Sequence, residues 1–232
     1  MLAVNPGLVV VTGASGGIGS AACRALRGAG WRVAGMARRE SPAADRSIRV
    51  DVADGAAVAR AFDELDPPDL VVHAAATIEP VAHIAEADPE EWAAGVRTNV
   101  LGTFHVVQAA VRRMLPARGG RIVSLTSGAA RRAKPWWSAY SASKAAAEHL
   151  VRSAAVDLEG TAVAVCALDP GITETPMQEL VRETEFPDRD RFVRAHEEGR
   201  SRAPEEVAAA LLRLAARPVE ELNGRVFTVE EA

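Results

Sequence analysis

Short apolar, β-branched runs alternate along this chain with longer stretches in which apolar residues recur every three or four positions. Leu8-Val-Val-Val-Thr12 is the first run, continuous rather than alternating, which predicts a strand buried on both faces. Residues 20–30 follow with helical spacing. Trp31-Arg-Val-Ala-Gly-Met-Ala37 predicts a second strand. Ile48-Arg-Val50 predicts a third, with a helix after it to about Leu65, and Asp69-Leu-Val-Val-His73-Ala-Ala-Ala76 predicts a fourth. Asp88-Pro-Glu-Glu opens a long helix reaching about Leu115: an aspartate cap, a proline in the first turn and carboxylates at the positive helix end. Gly120 to Thr126, Thr161 to Leu168 and Gly224 to Val229 are further strands, separated by helices over about 139–158 and 204–216. Strands alternating with helices in this way predict one α/β domain over residues 1–232, a doubly wound, mostly parallel sheet of about seven strands with helices on both faces. Residues 175–202 break the alternation with charges around the apolar anchors Met177, Leu180, Phe186 and Phe192, as expected of a helical lid.

Composition narrows the function classes. The chain has 232 residues, 48% hydrophobic and 25% charged, with a net charge of −4, which gives no electrostatic reason to expect nucleic acid. No apolar run approaches the roughly 20 residues of a membrane span. The opening Met1-Leu-Ala-Val-Asn-Pro lacks the basic region and apolar core of a signal peptide, so a cytoplasmic location is expected. Cys23 and Cys166 fall in apolar stretches without ligand spacing and read as core thiols. The five histidines are scattered, so no metal site is expected, and His73, at the end of an apolar run, reads as a core residue.

The chemistry begins where the first strand ends. Gly13-Ala-Ser15-Gly16-Gly17-Ile18-Gly19 joins that strand to the first helix, the context a dinucleotide fingerprint requires. Gly13 permits the tight turn, Gly17 lets backbone approach a pyrophosphate, and Gly19 allows close helix–strand packing, with the phosphates received by the helix N-terminus. The second strand ends at Ala37 rather than at the acidic residue that holds an NAD ribose, and Arg38-Arg39 follow. A guanidinium grips a 2′-phosphate with two hydrogen bonds, so NADP(H) is expected over NAD(H). Asp51, with Val52 beside it, stands either as an acceptor for the adenine amino group or as a helix cap. Ala74, Ala75 and Ala76 are small enough to let a cofactor sugar approach. Asn99 falls in mid-helix, an awkward place for a residue that prefers caps and turns, and such breaches concentrate at functional sites.

Ser127, thirteen residues before Tyr140, and Lys144, four after it, complete the constellation. Tyr140 is the only tyrosine and Lys144 one of two lysines in a Lys+Arg total of 27, the other being Lys134. On one helix the i,i+4 spacing puts phenol and ammonium on the same face.

Thr12-Gly13-x-x-x-Gly17-x-Gly19, Asn99, Ser127, Tyr140-x-x-x-Lys144 and Pro170-Gly171, in this order, resemble the short-chain dehydrogenase/reductase family over nearly the whole chain. The resemblance implies a Rossmann fold and a homodimer or homotetramer. It implies that Ser127 polarises a substrate carbonyl while Tyr140 donates the proton. Lys144 is then expected to lower the Tyr140 pKa and bind the nicotinamide ribose, and Asn99 to hold a proton-carrying water. Thr173 and Thr175 match positions that bind the carboxamide. His73-Ala-Ala-Ala76 stands where the family commonly has Asn-Asn-Ala-Gly, which leaves open how the strand ends are tied. Trp137-Ser-Ala-Tyr140 and the stretch from Met177 look like the sepiapterin reductase and benzil reductase branch, whose members reduce vicinal dicarbonyls. On that likeness Glu230 is a candidate substrate anchor. Trp136, Trp137 and Met177 either line an apolar substrate pocket or pack the lid. The expected function is NADPH-dependent reduction of a ketone or α-diketone; the alternatives are a non-catalytic NADP-sensing protein and a nucleotide-sugar epimerase.

Overall fold

Successive strand residues bury on opposite faces of the sheet, and this divides the core in two. Val10, Val71, Ile122 and Val165 point to one side, while Val9, Val11, Leu70, Val72, Val123 and Cys166 point to the other. The computed structural model describes residues 7–117 and 119–232; residues 1–6, on which the signal-peptide expectation rests, lie outside the described residues. The strands are β1 (Leu8–Thr12), β2 (Arg32–Ala37), β3 (Arg46–Arg49), β4 (Leu70–His73), β5 (Gly120–Leu125), β6 (Val163–Asp169) and β7 (Val226–Thr228). They form a seven-stranded sheet in the order β3-β2-β1-β4-β5-β6-β7, with every pairing parallel.

The helices are α1 (Gly17–Gly28), α2 (Gly55–Asp63), α3 (Pro89–Val96), α4 (Gly102–Met114), α5 (Ser138–Asp157), α6 (Pro176–Glu183), α7 (Arg189–Glu197) and α8 (Pro204–Ala216). Ala22 and Leu26 of α1 and Val207, Leu211 and Leu214 of α8 cover one face. Phe62 of α2, Val106 and Met114 of α4 and Val151 of α5 cover the other. Cys23 and Cys166 are buried in the first of these layers, where burial pushes each thiol up to about 12. Both are core thiols. Among the described residues no helix is long and apolar enough to cross a membrane.

Three expectations shift. The third strand is Arg46–Arg49 rather than 48–50; it is the sheet edge, so polar residues pair with β2 there and the apolar signal at Val50 comes from a buried residue beyond the ladder. The fourth strand stops at His73, because the chain at Ala74 and Ala75 turns onto the end of β1, where their amides meet Thr12. The long helix from Asp88 is capped as expected, its carboxylate accepting from Glu90 N and Glu91 N at 2.9 Å. It is not regular, however: a π turn at Arg97–Leu101 separates α3 from α4, and Asn99 is its central residue. A residue with poor helical preference marks the place where the helix widens.

Candidate active site

The direction of chain winding reverses between β1 and β4, and such a sheet opens a crevice beyond the carboxyl ends of those strands. Two adjoining hollows lie there. The first is lined by Gly13, Ser15, Gly16, Gly17, Ile18, Gly19, Ala37, Arg38, Arg39, Asp51, Val52 and Ala74–Ala76, together with Thr98 at the start of the π turn. The second, of about 480 Å³, holds Ser127, Tyr140, Lys144, Pro170, Gly171, Thr173 and Thr175. Thus the two sequence-predicted sets converge on one continuous crevice, with Ile18, Ala74, Ala76, Thr175 and Met177 shared between its halves.

The first hollow fits a dinucleotide. Gly13 sits at φ +65°, and a Cβ there would come 2.8 Å from the Ala74–Ala75 backbone. A Cβ on Gly19 would drive into the Gly13 carbonyl oxygen, so α1 can approach β1 only without one. No side chain caps α1 at Gly16, which leaves its first amides and its positive end free for phosphate. Arg38 and Arg39 are exposed at the rim and Ala37 is buried. Of the two roles open to Asp51, the helix cap belongs to Asp54, which accepts from Ala57 N at 2.9 Å. Asp51 is exposed in the hollow and holds only Ala53 N.

In the second hollow the chemistry is set by α5. Tyr140, Lys144 and Glu148 follow at intervals of four, one stripe of the helix, and all three are buried. Ser127 Oγ accepts from Ala129 N at 3.2 Å, which leaves its proton for the neighbouring phenol. Burial pushes Tyr140 up to about 12, against a hydrogen bond from Ser127 that lowers it and with Asp169 adding to the rise. The lowering expected from Lys144 is therefore not supplied by the chain's own groups. The ammonium is 5.8 Å from the phenol ring centroid and donates to Leu125 O at 2.9 Å, and burial brings its own pKa down to about 8, against the pull of Asp169. Desolvation dominates both groups.

No sequence motif assigned Glu148 a role; the available signal was its place on the Tyr140–Lys144 stripe. Its carboxylate accepts from Thr126 Oγ1 (2.8 Å), Arg131 Nη1 (2.8 Å) and Arg152 Nη2 (2.7 Å). Arg131 also pairs with Asp169 at the end of β6. This network ties the Ser127 loop to α5 and to β6, so the hydroxyl, phenol and ammonium share one frame.

Asn99 is buried outside the lining, behind the site. Its Oδ1 accepts from Thr77 N at 2.9 Å, and its Nδ2 donates to Thr77 O (2.8 Å) and Ser143 Oγ (2.9 Å). Both amide protons are thus spent inside the chain, while Oδ1 keeps one acceptor position. The side chain is a strut between the π turn, the loop after β4 and α5.

How the strand ends are tied without Asn-Asn-Ala-Gly is also visible. Ala75 N donates to Thr12 Oγ1, which lies 2.8 Å from His73 Nδ1; His73 Nε2 lies 3.1 Å from Thr103 Oγ1, which donates to Asn99 O at 2.6 Å. A carbonyl only accepts, so the Thr103 proton is spent on Asn99 and its oxygen must accept from Nε2–H. Nδ1 is then the bare nitrogen receiving the Thr12 proton. His73 is neutral in one defined tautomer, and burial, with Lys144 nearby, brings its pKa down to about 3. It is the satisfied core residue expected, with the added task of joining β1, β4 and the π turn.

Of the low-lying substrate candidates, Trp137 lines the second hollow and also packs on Tyr140, Phe186 and Phe192 with centroids 5.3–5.7 Å apart. Met177 lines both hollows. Trp136 faces His83 and is not in the lining; its backbone is left-handed at φ +64°. Glu230 stands outside the hollow, exposed, and ion-pairs with Arg202: the end of the chain is drawn to the foot of the 175–202 segment, not to the cavity. That segment forms α6 and α7, and it leaves and rejoins the body at one bridge, Thr173↔Arg202.

A parallel sheet with a phosphate-shaped turn at β1 and a Ser–Tyr–Lys set over the next strands defines a nucleotide-dependent oxidoreductase architecture. Residues 7–185 match the family model described as short chain dehydrogenase, and the chain belongs to that family of oxidoreductases, which use nicotinamide cofactors. It is 33% identical over 222 residues to 2,3-dihydro-2,3-dihydroxybenzoate dehydrogenase of Escherichia coli (strain K12), covering 89% of this chain and 88% of the relative. It is also 33% identical over 240 residues to cis-4-hydroxycyclohexanecarboxylate dehydrogenase of Sinomonas cyclohexanicum, covering 96% and 94%. Among solved structures, an actinorhodin polyketide ketoreductase with NADPH superposes with a TM-score of 0.87 at 27% identity, over 97% of this chain and 95% of that one.

Proposed function

We propose that this protein reduces a ketone or α-diketone to the alcohol at the expense of NADPH. The observation that carries the reading is Tyr140: a buried phenol that lines, with Ser127 and Lys144, a cavity contiguous with the dinucleotide hollow. A reductase needs a proton donor at that point; the buried phenol carries its proton there, and the positive charge of an oxidised nicotinamide beside it would favour the proton's release. The Gly13–Gly19 turn and Lys144 would hold a nicotinamide cofactor, which in its reduced form would supply the hydride. Ser127 donates a hydrogen bond to the carbonyl oxygen, and Tyr140 delivers its proton to the same atom as negative charge develops there. Lys144 keeps protons free on Nζ beyond the one given to Leu125, enough to hold a ribose hydroxyl. Asn99 fixes Ser143 and the start of α5, and its carbonyl keeps one lone pair for a proton-carrying water.

Arg38 and Arg39 at the rim support the 2′-phosphate reading, as does the likeness to a ketoreductase crystallised with NADPH. The relatives named for ring alcohols bearing carboxylates place ring ketones among the substrates to try. The α6–α7 segment, hinged at one bridge, is assigned as the lid. Leu101, Phe104 and Val156, large apolar residues left exposed on the π turn, α4 and α5, support a homodimer or tetramer built on those helices. NADPH consumption, followed by absorbance against α-diketones, ring and aromatic ketones and pterins, tests the reading. Tyr140→Phe is expected to bind NADPH as the parent does and to lose about 10²–10⁴-fold in turnover. Unchanged turnover in that variant would sink the mechanism.

A further inference from the structure

The chain carries two lysines, and both line the same cavity. Lys144 belongs to the catalytic stripe; Lys134 has no part in it. Lys134 lies in the loop between Ser127 and α5, with Arg131 and Arg132, and Arg191 of α7 faces the same space. Of these four cations only Arg131 is ion-paired, to Glu148 and Asp169. Among the described residues Arg132, Lys134 and Arg191 have no carboxylate partner at salt-bridge distance; Asp188, just before α7, is an opposing charge that acts on Lys134 from further off. Burial, Arg191 and Arg132 all act to lower the Lys134 pKa, which records that three like charges share one rim. A solvated face does not concentrate unpaired cations at the mouth of a partly apolar cavity without cost, since like charges repel. An anion held between them removes that cost.

We infer that Arg132, Lys134 and Arg191 form a subsite for an anionic group, a carboxylate, on the carbonyl substrate, so that the protein acts on a keto acid whose acid end sits at the rim and whose carbonyl reaches Ser127 and Tyr140. Because Arg132 and Lys134 belong to the catalytic loop and Arg191 to α7, the acid also spans the gap between body and lid. Trp137, Phe192 and Met177 between rim and phenol offer an apolar wall to the carbon frame joining the two ends. This assignment rests on the reductase reading for the position of the carbonyl, but the anion subsite can be measured without turnover.

The test uses the full chain with NADPH. Binding of the non-reducible cyclohexanecarboxylate is compared with that of cyclohexanecarboxamide by titration calorimetry, and turnover of 4-oxocyclohexanecarboxylate is compared with that of its methyl ester. The acid is expected to bind at least about tenfold more tightly than the amide, the magnitude of one charge-assisted contact, and to weaken with added salt. Lys134→Gln and Arg191→Gln should each lower kcat/KM for the keto acid about tenfold more than for the ester, while Lys134→Arg restores much of the preference. Melting temperature and NADPH affinity report whether each variant is folded. Equal binding of acid and amide, or variants that reduce acid and ester turnover alike, overturns the subsite. Selective acid binding without any ketone turnover keeps the subsite and removes the reductase reading instead.

Discussion

His73 allows the sharpest quantitative test, because its protonation is fixed by partners on both sides. The ring accepts from Thr12 and donates to Thr103, and burial brings its pKa from 6.5 down to about 3. The unfolded chain therefore takes up a proton at this residue below about pH 6.5, whereas the folded chain takes it up only near pH 3. Between those values the unfolded state binds more protons, so stability rises with pH and is lost as pH falls. From pH 7 to pH 5 linkage assigns this one group a loss of about 2 kcal/mol. Replacement by Asn keeps a donor and an acceptor but removes the titration. Urea unfolding of both proteins at the two pH values gives four free energies. The parent should lose about 2 kcal/mol more than His73→Asn on acidification, whatever the replacement costs at neutral pH. Nitrogen NMR should show Nε2 carrying the proton. Equal losses in the two proteins, or a ring that titrates near its ordinary value, would refute both the tautomer and the chain of bonds that led to it.

Arg38→Ala should raise the KM for NADPH about tenfold or more, the value of charge-assisted bonds to the 2′-phosphate, and leave NADH nearly unaffected; an equal change with both cofactors rules the assignment out. Asn99→Ala strips partners from Thr77 and Ser143 in a buried place, so urea unfolding should register a loss of about 2 kcal/mol or more and turnover should fall further than NADPH affinity. A variant as stable and active as the parent contradicts the strut. Gly19→Ala forces a methyl into the Gly13 carbonyl and should abolish NADPH binding, read by nicotinamide fluorescence; normal affinity would mean the turn is not the phosphate site.

Local pattern carried a large part of this protein. Leu8–Thr12 is continuous and β-branched, which only a doubly covered strand can use, and a glycine-rich turn followed by helical spacing has few structural solutions. Tyr140 and Lys144 could be placed on one face from spacing alone, since helical geometry is local. Asn99 could be marked as out of place, but not that the helix answers it with a π turn, because the bonds to Thr77 and Ser143 come from segments distant in sequence. The direction of the Tyr140 shift was beyond the sequence for the same kind of reason. Adjacency to Lys144 argues one way, and burial, which depends on the whole fold, wins.

Distance along the chain hid the rest. Glu148 meets Arg131 and Thr126 only after α5 packs against β6, and Glu230 meets Arg202, whose backbone bridges to Thr173, rather than the cavity. The order of residues thus determined which elements form and which carry reactive groups. Their charge states, and the gathering of Lys134 with Arg132 and Arg191 at one mouth, were decided by tertiary structure, since desolvation and through-space repulsion depend on which surfaces face each other.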